Sequence, residues 1–374
     1  MSLRINIVTS GRFHVLDLAR ELAAIGHDVR FYSCIARTRA VRFGLPPACH
    51  RRSLLWLAPL LAAAANMPAA VRPLVEATFK RLLDRSAAAS MEDCDAFIGM
   101  SGLCVESAQA ARSRGAKVFL ERGSRHIESQ KDILEAIPGA RVPAIPADDV
   151  ERELAGYEIA DAIVVPSRHT EESFVARGTA RERLFRNPYG VDLDMFPASA
   201  SPCNDPPVVI MAGTWSLQKG CDLLWEACRA AGSWRLRHVG AIGDARLPSS
   251  PLFEHEEPVP QWELGRELAK ADVLALASRQ DGFGMVLSQA LACGLPVVCT
   301  DRTGGEDLRE MLDDPEWVSV VPHDDGAALG RAIEQSIARS RVRPAIRSLP
   351  GRERLSWTAY GRRYDAELAR RCSR

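Results

Sequence analysis

The 374-residue chain lacks an excess of either charge, with 48 basic side chains against 48 acidic ones. A protein that coats nucleic acid needs a basic surplus, so that class is excluded, although a local basic patch is not. The ten cysteines include no pair spaced CxxC and none in a histidine-rich cluster. That excludes a zinc-type site and leaves no metal expected. Several of them, such as Cys293 and Cys299, lie in apolar runs where free thiols pack as small hydrophobes, which points to a reducing compartment. No segment reaches the roughly 20 apolar residues needed to span a bilayer. Met1-Ser2-Leu3-Arg4 leads straight into an apolar strand-like segment, without the longer apolar stretch and cleavage site of a secretory leader. The expected location is the cytoplasm. There is no short internal repeat and no low-complexity tract.

What is present is the length of two domains and an ordinary balance of 47% hydrophobic and 26% charged residues. Ile5 to Thr9 reads as a buried strand, Phe13 to Ile25 as a helix closed by Gly26, and Asp28 to Tyr32 as a second strand. This is a βαβ opening, and the α/β rhythm continues to about Arg177. Pro197 to Pro207 holds four prolines and reads as an interdomain linker. From Val208 the strand–helix alternation starts afresh and runs to a helix over Gly326 to Ala338. The expected fold is therefore α/β with two Rossmann-like domains, 1–200 and 201–350, facing a central cleft. Residues 351–374 form a last segment whose helix carries Trp357, Tyr360, Tyr364 and Leu368 at helical spacing. Strand C-termini facing a shared cleft suit a nucleotide ligand, but a fold hosts many functions and the site must decide.

The most informative stretch runs from Asp281-Gly282-Phe283-Gly284-Met285-Val286 through Gln289 to Gly294-Leu295-Pro296-Val297-Val298. Two glycines let backbone amides approach a ligand, and the helix that follows points unpaired N–H groups at it. The stretch resembles the large family 4 (group 1) of retaining GT-B glycosyltransferases. That family has an acidic residue before Gly-Phe-Gly, a second acid eight positions on, then Gly-x-Pro-Val-Val. Asn187-Pro188-Tyr189-Gly190-Val191-Asp192 resembles the family's Pro-x-Gly-Val-Asp segment. Ala212-Gly213-Thr214 with Lys219-Gly220 resembles its phosphate-binding segment, and Thr300 to Gly305 its Gly-Gly loop. The resemblance is clearest over about residues 155–340 and weaker at both ends.

The resemblance implies a sugar moved from a nucleotide-sugar donor to an acceptor hydroxyl with retained anomeric configuration. It implies no enzyme nucleophile, no cofactor beyond the donor co-substrate and no bound metal. Asp281 and the amides of Phe283 to Val286 are then expected at the donor sugar, Gln289 at the ribose about two turns down the helix, and Gly304-Gly305 facing the phosphates. Gly213, Thr214 and Lys219 are expected at the diphosphate, whose growing charge Lys219 stabilises. The family carries glutamate where Asp281 and Gln289 stand, and arginine where Thr214 stands. A neutral Gln289 cannot offer two charged acceptors to ribose hydroxyls. The missing cation is expected from Arg279 or Arg302.

In the first domain, Ser10-Gly11 fills the loop after the first strand. His14 is read either as a cleft residue or as a helix-face histidine. Glu121-Arg122-Gly123-Ser124-Arg125-His126 follows a strand; His126 reads either as the cleft histidine near the donor sugar or as part of a surface loop, with Arg125 beside it. Leu54 to Ala65 is apolar with basic flanks. It reads either as a surface resting on the inner face of a membrane, where lipid-linked acceptors reside, or as a helical hairpin lining the acceptor cleft or core. Carbohydrate, lipid-linked sugar and small molecules all stand as acceptors. Two other functions stay open: a GT-B-shaped binding protein without turnover, and a sugar-nucleotide epimerase on the same fold.

Overall fold

The computed structural model describes residues 2–65, 67–68, 71–141, 144–199, 202, 204–342 and 349–373. Its first sheet has seven parallel strands in the order β3-β2-β1-β4-β5-β6-β7. These are β1 Arg4–Val8, β2 Asp28–Tyr32, β3 His50–Arg51, β4 Ala96–Met100, β5 Lys117–Glu121, β6 Ala162–Val165 and β7 Leu184–Arg186. The second sheet has six parallel strands in the order β10-β9-β8-β11-β12-β13. They are β8 Val208–Ala212, β9 Arg235–Val239, β10 Phe253–Glu256, β11 Val273–Leu276, β12 Val297–Thr300 and β13 Val318–Val321.

The central strands are apolar on both faces, as β6 (AIVV) and β11 (VLAL) illustrate, because helices cover each sheet on both sides. The edge strands β3, β7 and β10 went unread in the sequence for the converse reason: they are two to four residues long and partly polar (HR, LFR, FEHE). The helix Ile127–Ala136, just after the polar run Glu121–His126, also went unread. The strand order reverses between β1 and β4 and between β8 and β11, so each sheet opens a crevice at its strand C-termini. One apolar cluster runs from Ile5 and Ile7 through Tyr189 to Phe283, Leu276 and Leu287, so the two sheets share a core where they meet.

The proposed boundary at 200/201 lies outside the described residues. The first sheet ends at Arg186 and the second begins at Val208, on either side of it. The last helix, Trp357–Cys372, returns to the first sheet and packs on the helix His14–Ile25. Thr358 Oγ1 donates to Glu21 at 2.9 Å and His27 Nε2 meets Asp365 at 2.9 Å. A side chain at Gly361 would meet Glu21 Cβ at 2.5 Å, so glycine sets how closely the two helices approach.

Leu54 to Ala65 has two faces. Leu54 and Leu57 are buried, whereas Trp56 and Leu61 are exposed. Its helix Ala58–Ala65 packs on Arg72–Ser90, as a hairpin reading requires, yet leaves apolar side chains outside.

Candidate active site between the strand C-termini

The loop after β11 and the loops after β5 and β6 meet directly. A Cβ added to Gly282 would lie 1.8 Å from the Gly123 carbonyl oxygen, so only glycine allows this contact. The Gly282 carbonyl accepts from Ser167 Oγ at 2.6 Å, and Gln280 Nε2 donates to Ser124 Oγ at 2.7 Å. Gly284 then takes φ 78°, a left-handed conformation that turns the chain into the helix Met285–Ala292. The N–H groups of Met285 and Val286 have no partner among the described residues. They form a short row of donors at a helix start, suited to an anion or a sugar oxygen.

Lys219 and Asp281, 62 positions apart, are brought together at 2.5 Å. Lys219 closes a 3-10 turn whose first residue follows Ser216, and Gly220 ends it in the left-handed region. A Cβ on Gly220 would fall 2.0 Å from the Ala277 carbonyl oxygen, which fixes this turn against the end of β11. Gly213 and Thr214 are exposed just after β8, and the Gly213 carbonyl accepts from the buried His238 Nε2 at 2.8 Å. Gln289 is only 7% exposed, in the second turn of the helix rather than two turns down, and its side chain makes no hydrogen bond among the described residues.

Three expectations need correcting. Arg279 does not supply the missing cation: its guanidinium is held by Asp222 in a two-pronged pair at 2.7 and 2.8 Å, by Asp324 at 2.6 Å and by the Leu217 carbonyl. Its charge is neutralised inside the second sheet's own loops. Gly304 and Gly305 do not face a ligand: both are buried, and the Gly304 N–H donates to the Phe283 carbonyl at 2.7 Å. They carry the Asp281–Gly284 loop from behind. His126 does not line the cleft. It is 5% exposed, with its ring 5.1 Å from both Tyr157 and Phe174 in an aromatic cluster. Burial pushes it down to about 4, so it is neutral at pH 7.

The histidine at the cleft is His169, which the sequence reading missed because nothing in Ser167-Arg168-His169 departs from an ordinary helix start. Its Nδ1 meets Arg125 at 3.2 Å, and its Nε2 is buried without a partner. Burial and the Arg125 charge push it down to about 3. Arg125 and Arg302 line a cavity of about 470 Å3 with Arg168, His169, Glu172 and Asp301. Burial, then the charge of Arg302, lowers Arg125 to about 10. Arg302 turns toward the end of β13, against His323 at 3.2 and 3.3 Å.

His14 lies at the start of the first long helix. Its Nε2 meets Glu121 Oε2 at 2.8 Å, with the carboxylate almost wholly buried. Its ring stacks 4.5 Å from Tyr189, which in turn stands edge-on to Phe283 at 5.5 Å. His14 therefore reaches the Asp281–Gly284 loop through one aromatic ring. Gly11 is half-buried in the loop after β1.

Among the described residues no group of three His, Cys, Asp or Glu side chains is gathered in a way that could hold a metal ion. Nine of the cysteines are described and all are free thiols, eight of them buried.

Residues 206–339 match the family model of glycosyl transferases group 1. Among curated proteins, the chain is 30% identical over 221 residues to a D-inositol 3-phosphate glycosyltransferase of Xylanimonas cellulosilytica, covering 50% of this chain and 52% of that one. It is 32% identical over 184 residues to a GDP-mannose-dependent alpha-mannosyltransferase of Mycobacterium tuberculosis, covering 46% and 45%. The match thus spans about half the length of these relatives. Among solved structures, sucrose-phosphate synthase of Thermosynechococcus elongatus aligns over 98% of both chains with a TM-score of 0.65 at 17% identity. HepE of Anabaena in complex with UDP and glucose aligns over 98% of this chain and 100% of that one, with a TM-score of 0.64 at 14% identity. Both alignments run the full length of the fold.

Proposed function

We propose, from the match of residues 206–339 to the model of glycosyl transferases group 1 and from the GT-B fold, that the protein is a retaining glycosyltransferase. The C–O bond between the anomeric carbon and the donor diphosphate breaks, and a new bond forms to an acceptor hydroxyl on the same face. The departing diphosphate oxygen takes the electron pair of the broken bond, and the acceptor hydroxyl's proton passes to that oxygen. No side chain of this protein serves as nucleophile in this reading, and no metal takes part. Lys219 meets the developing charge on the diphosphate, where a fixed cation contributes most. The free amides of Met285 and Val286 and the Asp281 carboxylate hold the sugar, and Gln289 takes the ribose.

The observation that carries this reading is the Lys219–Asp281 pair beside the unpartnered amides of Met285 and Val286. A cation and a carboxylate brought together from separate loops are the two groups that a nucleotide sugar would part, one to its phosphates and one to its hydroxyls. The same pair favours a second reading, a binding protein without turnover, if the two charges stay locked together.

The experiment is a thermal-shift screen of nucleotide sugars and free nucleoside diphosphates. One base is expected to raise the Tm, and Lys219→Ala is expected to remove that shift. No shift with any nucleotide overturns the donor reading. A shift without donor hydrolysis or transfer selects the binding protein.

The first domain, 1–200, takes the acceptor in this proposal, and it meets a membrane face. Between Asp28 and Glu76 the sequence has no acidic residue and seven arginines: 30, 37, 39, 42, 51, 52 and 72. Of these, only Arg30 and Arg51 make an ion pair among the described residues, and Val41, Trp56 and Leu61 stand exposed in the same stretch. Cations with exposed apolar side chains are what an anionic lipid surface attracts. Among the described residues no helix is long and apolar enough to cross a membrane. The proposed location is therefore the cytoplasmic face of a membrane.

A further inference from the structure

The strand ends of the first sheet hold a second cavity, of about 450 Å3, to which no ligand has been assigned. Its floor is Ser10 after β1, Ser101 and Gly102 after β4, and Arg122 after β5. Arg122 precedes Gly123, whose carbonyl packs on Gly282, so the cavity opens beside the donor-side loop. Phe13, Leu61, Phe79 and Met100 form one apolar wall, and Ile127 and Ile145 form part of the other. Phe13 and Leu61 remain 46% and 36% exposed at its mouth.

The charges in this cavity decide what it can take. Arg122 is engaged on each of its three nitrogens: it donates to Glu153 at 2.8 Å, to Gln130 Oε1 at 2.6 Å and to the Arg125 carbonyl at 3.0 Å. Lys80 is held by Asp149 at 2.5 Å. Glu76 has no ion-pair partner among the described residues. Three carboxylates thus face two cations, both already neutralised. A phosphate would have to displace a carboxylate from Arg122 or Lys80 and then sit near Glu76, which costs Coulomb energy at every step. Hydroxyls meet no such barrier: Glu153 already accepts from Arg122 and Ser101, and Gln130 Oε1 from Arg122, but each of these oxygens keeps a second lone pair and the Gln130 amide keeps its N–H donors.

We propose that this cavity takes the acceptor, and that the acceptor is an amphiphile with an uncharged polyhydroxyl ring and an apolar body. The ring sits on Ser101, Gln130 and Glu153. The apolar body lies along Phe13, Leu61 and Phe79 and leaves through the exposed mouth. This rests on the glycosyltransferase reading for the word acceptor, but the binding preference does not depend on transfer.

The test is calorimetric binding to the full chain, without donor and below the critical micelle concentration, of octyl glucoside, octyl galactoside and octyl mannoside. Each is compared with its 6-phosphate and with the free hexose. At least one octyl glycoside is expected to bind about 10-fold or more tightly than its hexose, because the chain leaves water. It is also expected to bind about 10-fold or more tightly than its 6-phosphate, because of the surplus carboxylate. Asp149→Lys is expected to narrow the second ratio and Leu61→Asp the first. Phe13→Ser replaces Leu61→Asp if that variant loses its native melting transition. No binding by any octyl glycoside, a phosphate that binds as well as its parent, or ratios unmoved by these substitutions overturns the proposal. A nucleoside diphosphate shift without octyl glycoside binding fails this proposal alone. Octyl glycoside binding without any nucleotide shift fails the donor reading alone.

Discussion

In the second sheet's loops the charged side chains are locked in pairs, Lys219 on Asp281 and Arg279 on Asp222 and Asp324, while glycines hold backbone against backbone. In the first sheet's outer stretch, between Asp28 and Glu76, the sequence holds arginines and no acid, Arg37, Arg39, Arg42 and Arg52 make no ion pair among the described residues, and Val41, Trp56 and Leu61 face outward. One region stores its specificity in fixed close contacts, where a single methyl group is a collision. The other presents a field and a surface, where no single residue is decisive. The difference teaches that the second sheet's loops, the proposed donor side, should break sharply under point substitution and the first sheet's outer stretch gradually, in proportion to charge removed.

The largest effect therefore comes from several arginines together. Changing Arg37, Arg39 and Arg42 to alanine is expected to weaken sedimentation with phosphatidylserine vesicles about 100-fold, at about 1 kcal/mol for each cation near an anionic surface. Each single change is expected to account for about a third of that free energy, and raised salt to erase the difference. A single arginine that carries the whole effect would mean a specific headgroup pocket, and the contrast between the two regions would fail.

On the donor side one methyl group should suffice. Gly282→Ala is expected to cost about 2–3 kcal/mol in denaturant unfolding, because the Gly123 backbone cannot move away as a flexible side chain would. It is also expected to abolish the nucleotide-induced rise in Tm. A fully native variant would show that the loops after β5 and β11 do not depend on this contact.

The legibility of the two regions follows the same division. The Asp281–Val286 loop was readable because a close backbone approach demands particular glycines, and a demand on residue type leaves a mark in sequence. His169 and the Ser167–Gly282 bond were not, because contacts between ordinary residues far apart in the sequence leave none. His126 was misplaced for a related reason: a polar run after a strand looks the same whether its histidine faces a cleft or sinks among Tyr157 and Phe174. Arg279 was misassigned because its partners Asp222 and Asp324 lie 57 and 45 residues away. The acid-free stretch was legible as composition and passed over, since the net charge of the whole chain is zero.

The buried histidines give the first domain a sharp feature of its own. His126 and His169 have folded pKa values of about 4 and about 3, against an ordinary value near 6.5. As pH falls below about 6.5 the unfolded chain takes up protons that the folded chain refuses, so stability declines down to about pH 4. Each such histidine contributes a limiting slope of about 1.4 kcal/mol per pH unit. His126→Phe, which keeps a ring among Tyr157 and Phe174, is expected to flatten the acid limb of a Tm-against-pH curve by one histidine's share. An unchanged limb would mean that His126 is solvated enough to titrate normally.

The smallest expected change acts at a position where this chain departs from the family it resembles. Gln289 is buried at the second turn of the donor-side helix and has no hydrogen-bond partner among the described residues. A glutamate there would present two charged acceptors to a pair of ribose hydroxyls, and charge-assisted hydrogen bonds are roughly twice as strong as neutral ones. Gln289→Glu is therefore expected to tighten nucleotide binding about 10-fold, or about 1.4 kcal/mol. Burial of the new charge opposes this gain in the free protein and lowers its Tm without nucleotide. The two effects separate in one titration: a lower Tm alone, and a steeper rise with nucleotide. A lower Tm with no gain in affinity would place the ribose elsewhere. The donor side would then owe its grip to Lys219, Asp281 and the amides of Met285 and Val286 alone.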